Sequence, residues 1–412
     1  MSEIKKVPKL RFKKFTEDWK EKKVKQLSEV SSGGTPSRSN PNYWNGTIPW
    51  ISTSLIDFKD ITCADEYITE EGLKNSSAKL FPKGTILMAM YGQGKTRGKV
   101  ALLKIEASTN QACAAFITNK LIYNGFLFQS FSNNYDNIRN LSNEGGQKNL
   151  SGGLLKNYKI SFPSLAEQKK IASFLSSVDK KLTLLQQKKS LLEDYKKGVM
   201  QQLFSQQLRF KDSNGNEFPK WEEKRLGSIG ETISGLTGKS KENFGIGKPY
   251  IQYKQIFDSS KIKIQNCGFV DVAENENQTK VKFGDVFFTT SSETPHEIGT
   301  ASVLLDEVEE MYLNSFCFGL RIDKSVLYPS FAQFLFRSPQ FRKKMMPLAQ
   351  GSTRYNISKS SFMKLKIKLP SIEEQTKIAN FLSAIDDKIQ LVAESIEATQ
   401  QFKKGLLQQM FV

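Results

Sequence analysis

The sequence predicts a mixed α/β protein of two globular bodies, each running into a long helix. The two helices are expected to pair as an antiparallel coiled coil, with an internal pseudo-two-fold relating the halves. Three observations predict this. First, FPSLAEQKKIASFLSSVDKKL, residues 162–182, returns 207 residues later as LPSIEEQTKIANFLSAIDDKI, residues 369–389. Second, both copies begin with a helix-start signature and continue with apolar residues at alternating spacings of three and four, the pattern of a coiled-coil seam. Third, the stretches between the copies hardly repeat, and they carry short β-branched runs separated by glycine-rich turns.

These features divide the chain into a first body over 1–163, a first helix over 164–206, a second body over 207–370 and a second helix over 371–412. A repeat of about 205 residues is too long for a solenoid period and suits a domain plus a helix. Each half opens alike, with LRF at 10–12 and Trp19 answered by LRF at 208–210 and Trp221. In the first body Thr85 to Met90 and Lys99 to Ile105 read as strands, and Tyr123 to Tyr135 reads as a helix. In the second body Val286 to Thr290 and Ser302 to Leu305 read as strands, and Pro329 to Phe341 reads as a helix.

The repeated endings are helices. Ser164 followed by Glu167, and Ser371 followed by Glu374, have the spacing of a capping box, each after a proline. From there Leu175, Val178, Leu182, Leu185, Leu192 and Val199 trace one apolar seam, and Leu382, Ile385, Ile389, Val392, Ile396 and Leu406 trace the other. A helix of about 40 residues is about 60 Å long and needs a partner along its length; the other copy is the expected one.

With 412 residues and 38% hydrophobic content the chain can bury two ordinary cores. No run of 18 apolar residues and no apolar stretch behind the basic N-terminus occurs, so neither a membrane span nor a secretory signal is expected, and the location reads as cytoplasmic. Sixty Lys and Arg against 42 Asp and Glu leave a net charge of +18. Such a surplus points to a polyanion, because each cation that meets a phosphate releases a condensed counterion. Nucleic acid is preferred over an anionic membrane, since no basic amphipathic helix with an aromatic face stands out.

Signals for chemistry are weak. The cysteines at 63, 113, 267 and 317 echo the repeat, have no CxxC spacing and are joined by a single histidine, His296, so they read as small core residues rather than metal ligands. AMYGQGKT, residues 89–96, approaches a P-loop, but it begins with Ala and is followed by the β-like RGKVALLKI where a P-loop must open a helix. It reads as a hairpin with a basic tip. NPNY, residues 40–43, has the wrong third residue for an adenine-methyltransferase motif and reads as a turn. The acids Asp57, Asp60, Asp65, Glu293 and Glu297 form no metal-binding set with a lysine, and no catalytic residue is assigned.

What remains is recognition of DNA by polar, aromatic and basic residues in turns. In the first body the candidates are Thr35, Ser37 and Arg38; Tyr91, Gln93, Lys95, Thr96 and Arg97; and Gln147, Lys148 and Asn149. In the second they are Lys239 and Lys241; Tyr253 and Lys254; Ser291, Ser292 and Thr294; and Thr353, Arg354, Tyr355 and Asn356.

The chain resembles the specificity subunit of type I restriction-modification systems, the HsdS family, over essentially its whole length. The resemblance is carried by the two LRF openings with their tryptophans, SSGGTPSRSNPNYWNGTIPWIS from 31 to 52, the loops before each helix, and the paired PSLAEQKKIASFL and PSIEEQTKIANFL. It implies two target recognition domains, each reading one half of a split, asymmetric DNA sequence, and a helix pair that acts as spacer and as docking surface for two methyltransferase subunits. It further implies restriction (translocase) subunits as partners, and places S-adenosylmethionine, ATP and Mg on partners rather than on this chain, which is then not itself an enzyme. The second body departs from the pattern, since ISGLTGK at 233–239 lacks the GGTPS and YWNG runs. Other classes make different demands. A stand-alone DNA-binding regulator would bind its sequence without partners, and a self-sufficient methyltransferase or nuclease would act on DNA alone. A purely structural coiled coil leaves the charge and the two bodies unexplained.

Overall fold

The computed structural model describes residues 7–92, 94–141, 149–351 and 354–412. The chain forms two compact units, one of residues 1–186 with 394–412 and the other of residues 187–393. Each repeated helix therefore begins in one unit and ends in the other.

Unit 1 runs through β1 (Lys20–Lys23), β2 (Ser28–Ser32), β3 (Trp44–Ile51), β4 (Lys59–Ile61), β5 (Glu66–Ile68), α1 (Glu70–Lys74), β6 (Ile86–Ala89), β7 (Val100–Leu103), β8 (Ser108–Thr109) and β9 (Cys113–Thr118). It continues through α2 (Asn124–Asn133), α3 (Tyr135–Arg139), α4 (Gly152–Asn157) and β10 (Lys159–Phe162) into α5 (Leu165–Phe204). Its main sheet has the order β2-β9-β6-β7-β4, antiparallel except that β4 lies parallel to β7. β6 and β7 read ILMA and VALL because both faces of this sheet are covered. With a period of two, Ile86, Met88, Val100, Leu102 and Phe116 face the core under α2 and α5, while Leu87, Ala89, Ala101 and Leu103 face a second core with Ile51, Ile56 and Phe81.

Unit 2 repeats the plan: β11 (Glu222–Arg225), β12 (Gly230–Ser234), β13 (Phe244–Ile251), α6 (Tyr253–Asp258), β14 (Gly268–Val270), β15 (Val286–Thr289), β16 (Ser291–Ser292), β17 (Ala301–Val303), β18 (Tyr312–Leu313) and β19 (Cys317–Ile322). Then come α7 (Pro329–Leu335), α8 (Pro339–Met345), β20 (Tyr355–Asn356), α9 (Lys359–Met363), β21 (Lys366–Leu369) and α10 (Ile372–Met410). Its main sheet has the order β12-β19-β15-β17. The single helix expected over Pro329 to Phe341 is two, because Ser338 caps a new helix and Pro339 occupies its first position, where the missing N–H is harmless.

The long helices run antiparallel. In unit 1 the start of α5 lies against the end of α10, with Lys403 Nζ 2.5 Å from Asp179 and with Leu175, Val178, Leu406 and Met410 in one core. In unit 2 the end of α5 lies against the start of α10, with Lys196 Nζ 2.5 Å from Asp386 and with Val199, Leu203, Leu382 and Ile385 in one core.

The repeated Glu-Gln pair ties distant segments to the start of each helix. Glu167 accepts from Arg11 Nε and Nη2 at 2.8 Å each, and Glu374 accepts from Arg209 Nε at 3.1 Å and Nη2 at 2.7 Å. Gln168 holds Tyr123 N (2.7 Å), Leu121 O (3.1 Å) and Pro163 O (2.9 Å), and Gln375 holds Tyr328 N (2.8 Å), Val326 O (3.0 Å) and Pro370 O (2.9 Å). The expected capping bond from serine is present at Ser371, which accepts from Glu374 N at 3.4 Å. The glutamate side chains instead latch the LRF segment onto the helix, which Phe12 against Phe174 and Phe210 against Phe381 reinforce edge to face.

The helix ends also match. Phe204 packs on Trp221 and Phe331, and Phe411 packs on Trp19 and Phe126. The cysteines are all free thiols, but only Cys113 and Cys317 are buried core residues, burial pushing both up to about 12; Cys63 is exposed and Cys267 half-buried. Cys63 follows the three-residue edge strand β4, where its side chain meets solvent.

Candidate nucleic-acid interface

Strand direction gathers the loops. In unit 1, β2 and β6 end where β9, β7 and β4 begin, so segments 33–39, 90–99, 110–112 and 52–58 leave one end of the sheet. In unit 2, β12 and β15 end where β19 and β17 begin, and segments 235–240, 290–300 and 314–316 share one end in the same way.

The first loop of unit 1 is built around two tryptophans. Trp44 Nε1 donates to Ser37 O (3.1 Å), Trp50 Nε1 donates to Gly34 O (3.0 Å), and the rings meet edge to face at 5.2 Å. Arg38 lies 3.6 Å from the Trp44 ring centroid and forks onto Glu66, whose carboxyl it holds below its ordinary range. Thr35 Oγ1 donates to Gln111 Oε1, joining this loop to the 110–112 turn, and Ser37 Oγ lies 2.8 Å from Ser39 Oγ. NPNY is a turn, with Asn40 accepting from Asn42 N at 3.1 Å.

AMYGQGKT is the β6–β7 hairpin loop; the chain returns as a strand, so no helix N-terminus faces a phosphate there. Tyr91 and Lys95 are exposed and Thr96 is half-buried, whereas Arg97 is 8% exposed, under the loop rather than at its tip. Leu150 N donates to Met90 O (3.0 Å), so Asn149 arrives beside the hairpin. Gln93, Gln147 and Lys148 lie outside the described residues.

In unit 2 the hairpin loop pairs with the last loop. Ser291 opposes Asn356 and Ser292 opposes Tyr355 across β16 and β20, and Tyr253 donates its hydroxyl to Ser291 O at 2.7 Å. Thr294 and Arg354 are exposed beside them. Ser292 Oγ donates to Glu297 (3.1 Å) and accepts from Thr294 N (3.3 Å). Lys254 is exposed on α6 and pairs with Asp258, and Lys241 is exposed in the turn at 241–243. Lys239 turns inward, its side chain 6% exposed on Glu276. Thr353 lies outside the described residues.

Sequence reasoning missed three arginines behind these loops. Arg139 donates to Gly94 O (2.7 Å); Arg342 donates to Gly299, His296 and Ile298 O (2.9, 2.7 and 2.7 Å); Arg337 donates to Ala301, Ile256 and Ser259 O (2.6, 2.7 and 2.7 Å). Burial pushes Arg337 down to about 10. Arg139 and Arg342 sit in short helices and Arg337 in the turn between α7 and α8, inside a stretch that the sequence presents as one continuous helix. Phe316, 61% exposed in the turn before β19, was also missed, since in LNSFCF it reads like Phe318, which is fully buried. Among the described residues no three His, Cys, Asp or Glu side chains cluster as metal ligands would, and no helix is long and apolar enough to cross a membrane.

Comparison with known proteins matches this duplicated arrangement to one domain type. The sequence model for the type I restriction modification DNA specificity domain matches residues 16–194 and again residues 219–400. The chain belongs to the type I restriction-modification DNA specificity family. Each specificity domain thus comprises a loop-bearing body and most of a long helix, so the helix is part of the duplicated unit. The MjaIX specificity subunit of Methanocaldococcus jannaschii is 30% identical over 273 residues, 63% of this chain and 62% of that protein, so this alignment takes in less than two thirds of the relative. The MjaVIII specificity subunit of the same organism is 24% identical over 421 residues, 95% of this chain and 91% of that protein. In fold, the chain is similar to the crystal structure of the type I restriction-modification S subunit from M. genitalium, with a TM-score of 0.61 at 17% identity over 98% of this chain and 99% of that one.

Proposed function

We propose that this chain is the DNA-specificity subunit of a type I restriction-modification complex, reading a split asymmetric target with one half per unit. One observation carries the reading. Both units send their loops to the same end of equivalent sheets, yet most of the loop residues differ, while the longest stretches that repeat serve latches, caps and helix seams. Two different readers on one constant frame are what a two-part target requires, and base contacts worth about 1–3 kcal/mol each then add across the two halves. The charge of +18 supplies the phosphate attraction.

The helices supply partner surface. Leu184 and its repeat Leu391, and Tyr195 and its repeat Phe402, are 55%, 62%, 53% and 56% exposed on α5 and α10, off the seam. Apolar side chains in duplicate fit two copies of one protein, here two methyltransferase subunits, with restriction (translocase) subunits completing the complex in the cytoplasm. S-adenosylmethionine, ATP and Mg then belong to those partners, and the helix pair acts as the spacer between half-sites.

The test is co-expression of the chain with its cognate methyltransferase subunit, followed by genome-wide mapping of methylated adenine. A split motif whose first half alone changes when residues 1–160 are exchanged for those of another member supports the reading. Methylation indifferent to the exchange overturns it.

A further inference from the structure

Behind the hairpin loop of each unit stands an arginine at an equivalent position, directly after a buried apolar residue of a short helix: Arg139 after Ile138 on α3, and Arg342 after Phe341 on α8. Arg139 Nη2 donates to Gly94 O at 2.7 Å, and its Nη1 donates to the Tyr135 hydroxyl at 3.2 Å, which donates in turn to Lys95 O. Arg342 reaches His296, Ile298 and Gly299 O. Every loop atom taken is a backbone carbonyl. The loops themselves, YGQGKTRG and TSSETPHEIG, share little beyond the closing glycine, Gly98 or Gly299, each at positive φ. Among the described residues neither arginine is paired with a carboxylate.

A guanidinium that takes only carbonyls from a loop places no demand on the side chains of that loop. It can therefore fix the path of a loop whose sequence is free to vary. Gly299 has a φ of +62, a backbone conformation that favours glycine, at the end of that path in unit 2.

We propose that Arg139 and Arg342 are positioning residues for DNA reading, each fixing the backbone of its own unit's hairpin loop and thereby which side chains face base edges in that unit's half-site. The proposal rests on the reading of the chain as a two-part specificity subunit. Lysine, a point charge without the planar fork, cannot span the carbonyls of Arg342.

The full chain carrying Arg342→Lys or Arg139→Lys is co-expressed with the methyltransferase subunit, methylated adenines are mapped genome-wide, and the melting temperature of each purified chain is measured. Arg342→Lys is expected to leave one half of the motif intact and to reduce base discrimination in the other roughly tenfold, the scale of one misplaced base contact. Arg139→Lys is expected to do the reverse. An unchanged motif, or equal loss in both halves, overturns the proposal. So does loss of methylation with a collapsed melting temperature, which marks the arginine as a fold-holding residue only. Tyr135→Phe, which removes one half-exposed hydroxyl, is the gentler variant for unit 1 and must shift the same half as Arg139→Lys. A wild-type complex with no split motif would instead count against the underlying reading.

Discussion

Arg38 shows how a residue suited to reading bases can be engaged elsewhere. In the sequence it stands in a glycine-rich turn; in the folded chain its guanidinium stacks on Trp44 and forks onto Glu66. Replacement by Met is expected to destabilise unit 1 by about 1 kcal/mol, through the lost cation–π contact and a partly exposed ion pair, seen as a lower denaturant midpoint. Lys239 is similarly turned onto Glu276, and Lys248 pairs with Glu310. Both carboxyls are held down to about 2, Glu276 first by Lys239 and Glu310 first by Lys248. A folded value below the ordinary 4.5 means that their contribution to stability is present above pH 4.5 and lost as pH falls towards 2. Thermal melts of Lys239→Met and Lys248→Met across that range should be less steeply pH-dependent than the parent; identical slopes would refute the assignment.

At the level of elements, the most legible parts of the sequence are the ones whose side chains answer to local rules. The helix starts, the seams and the β6–β7 hairpin all follow from periodicity and turn residues. The role of Glu167 and Glu374 does not, because their partners Arg11 and Arg209 lie more than 150 residues away in sequence. Arg209→Met would leave the fully buried Glu374 unpaired and is expected to cost unit 2 about 3 kcal/mol, measurable as a lowered midpoint in chemical denaturation. Trp221 Nε1 still reaches that carboxylate at 3.2 Å, so the loss should exceed that of Trp221→Phe, which leaves the arginine in place. The split of the helix predicted from Pro329 turns on Ser338-Pro339, a cap and first-turn pair that an amphipathic pattern running through it conceals.

For the whole molecule, the net charge of +18 predicts DNA affinity that falls steeply with salt, the slope of log affinity against log salt growing with the number of phosphates met. If the helices set the gap between half-sites, inserting seven residues at matched positions in both, after 186 and after 393, lengthens each by about 10 Å. Methylation mapping should then show a spacer about three base pairs longer with unchanged half-sites; an unchanged spacer would remove the helices from that role.

The repeat, the charge and the two seams are written in the primary structure because they are local or compositional: a period, a count and a spacing need no distant partner. From them the duplicated plan follows, as the mixed α/β class follows from the β-branched runs and turns; the family is legible through the resemblance of its motifs. Which loop residues face outward is another matter. Arg97 and Lys239 look as available as Tyr91 or Arg354 in the sequence, and only the folded chain shows the first two turned inward and the second two exposed. Orientation of that kind depends on contacts made across the sheet end by segments far apart in sequence, among them the carbonyl-binding arginines, and no local pattern encodes it.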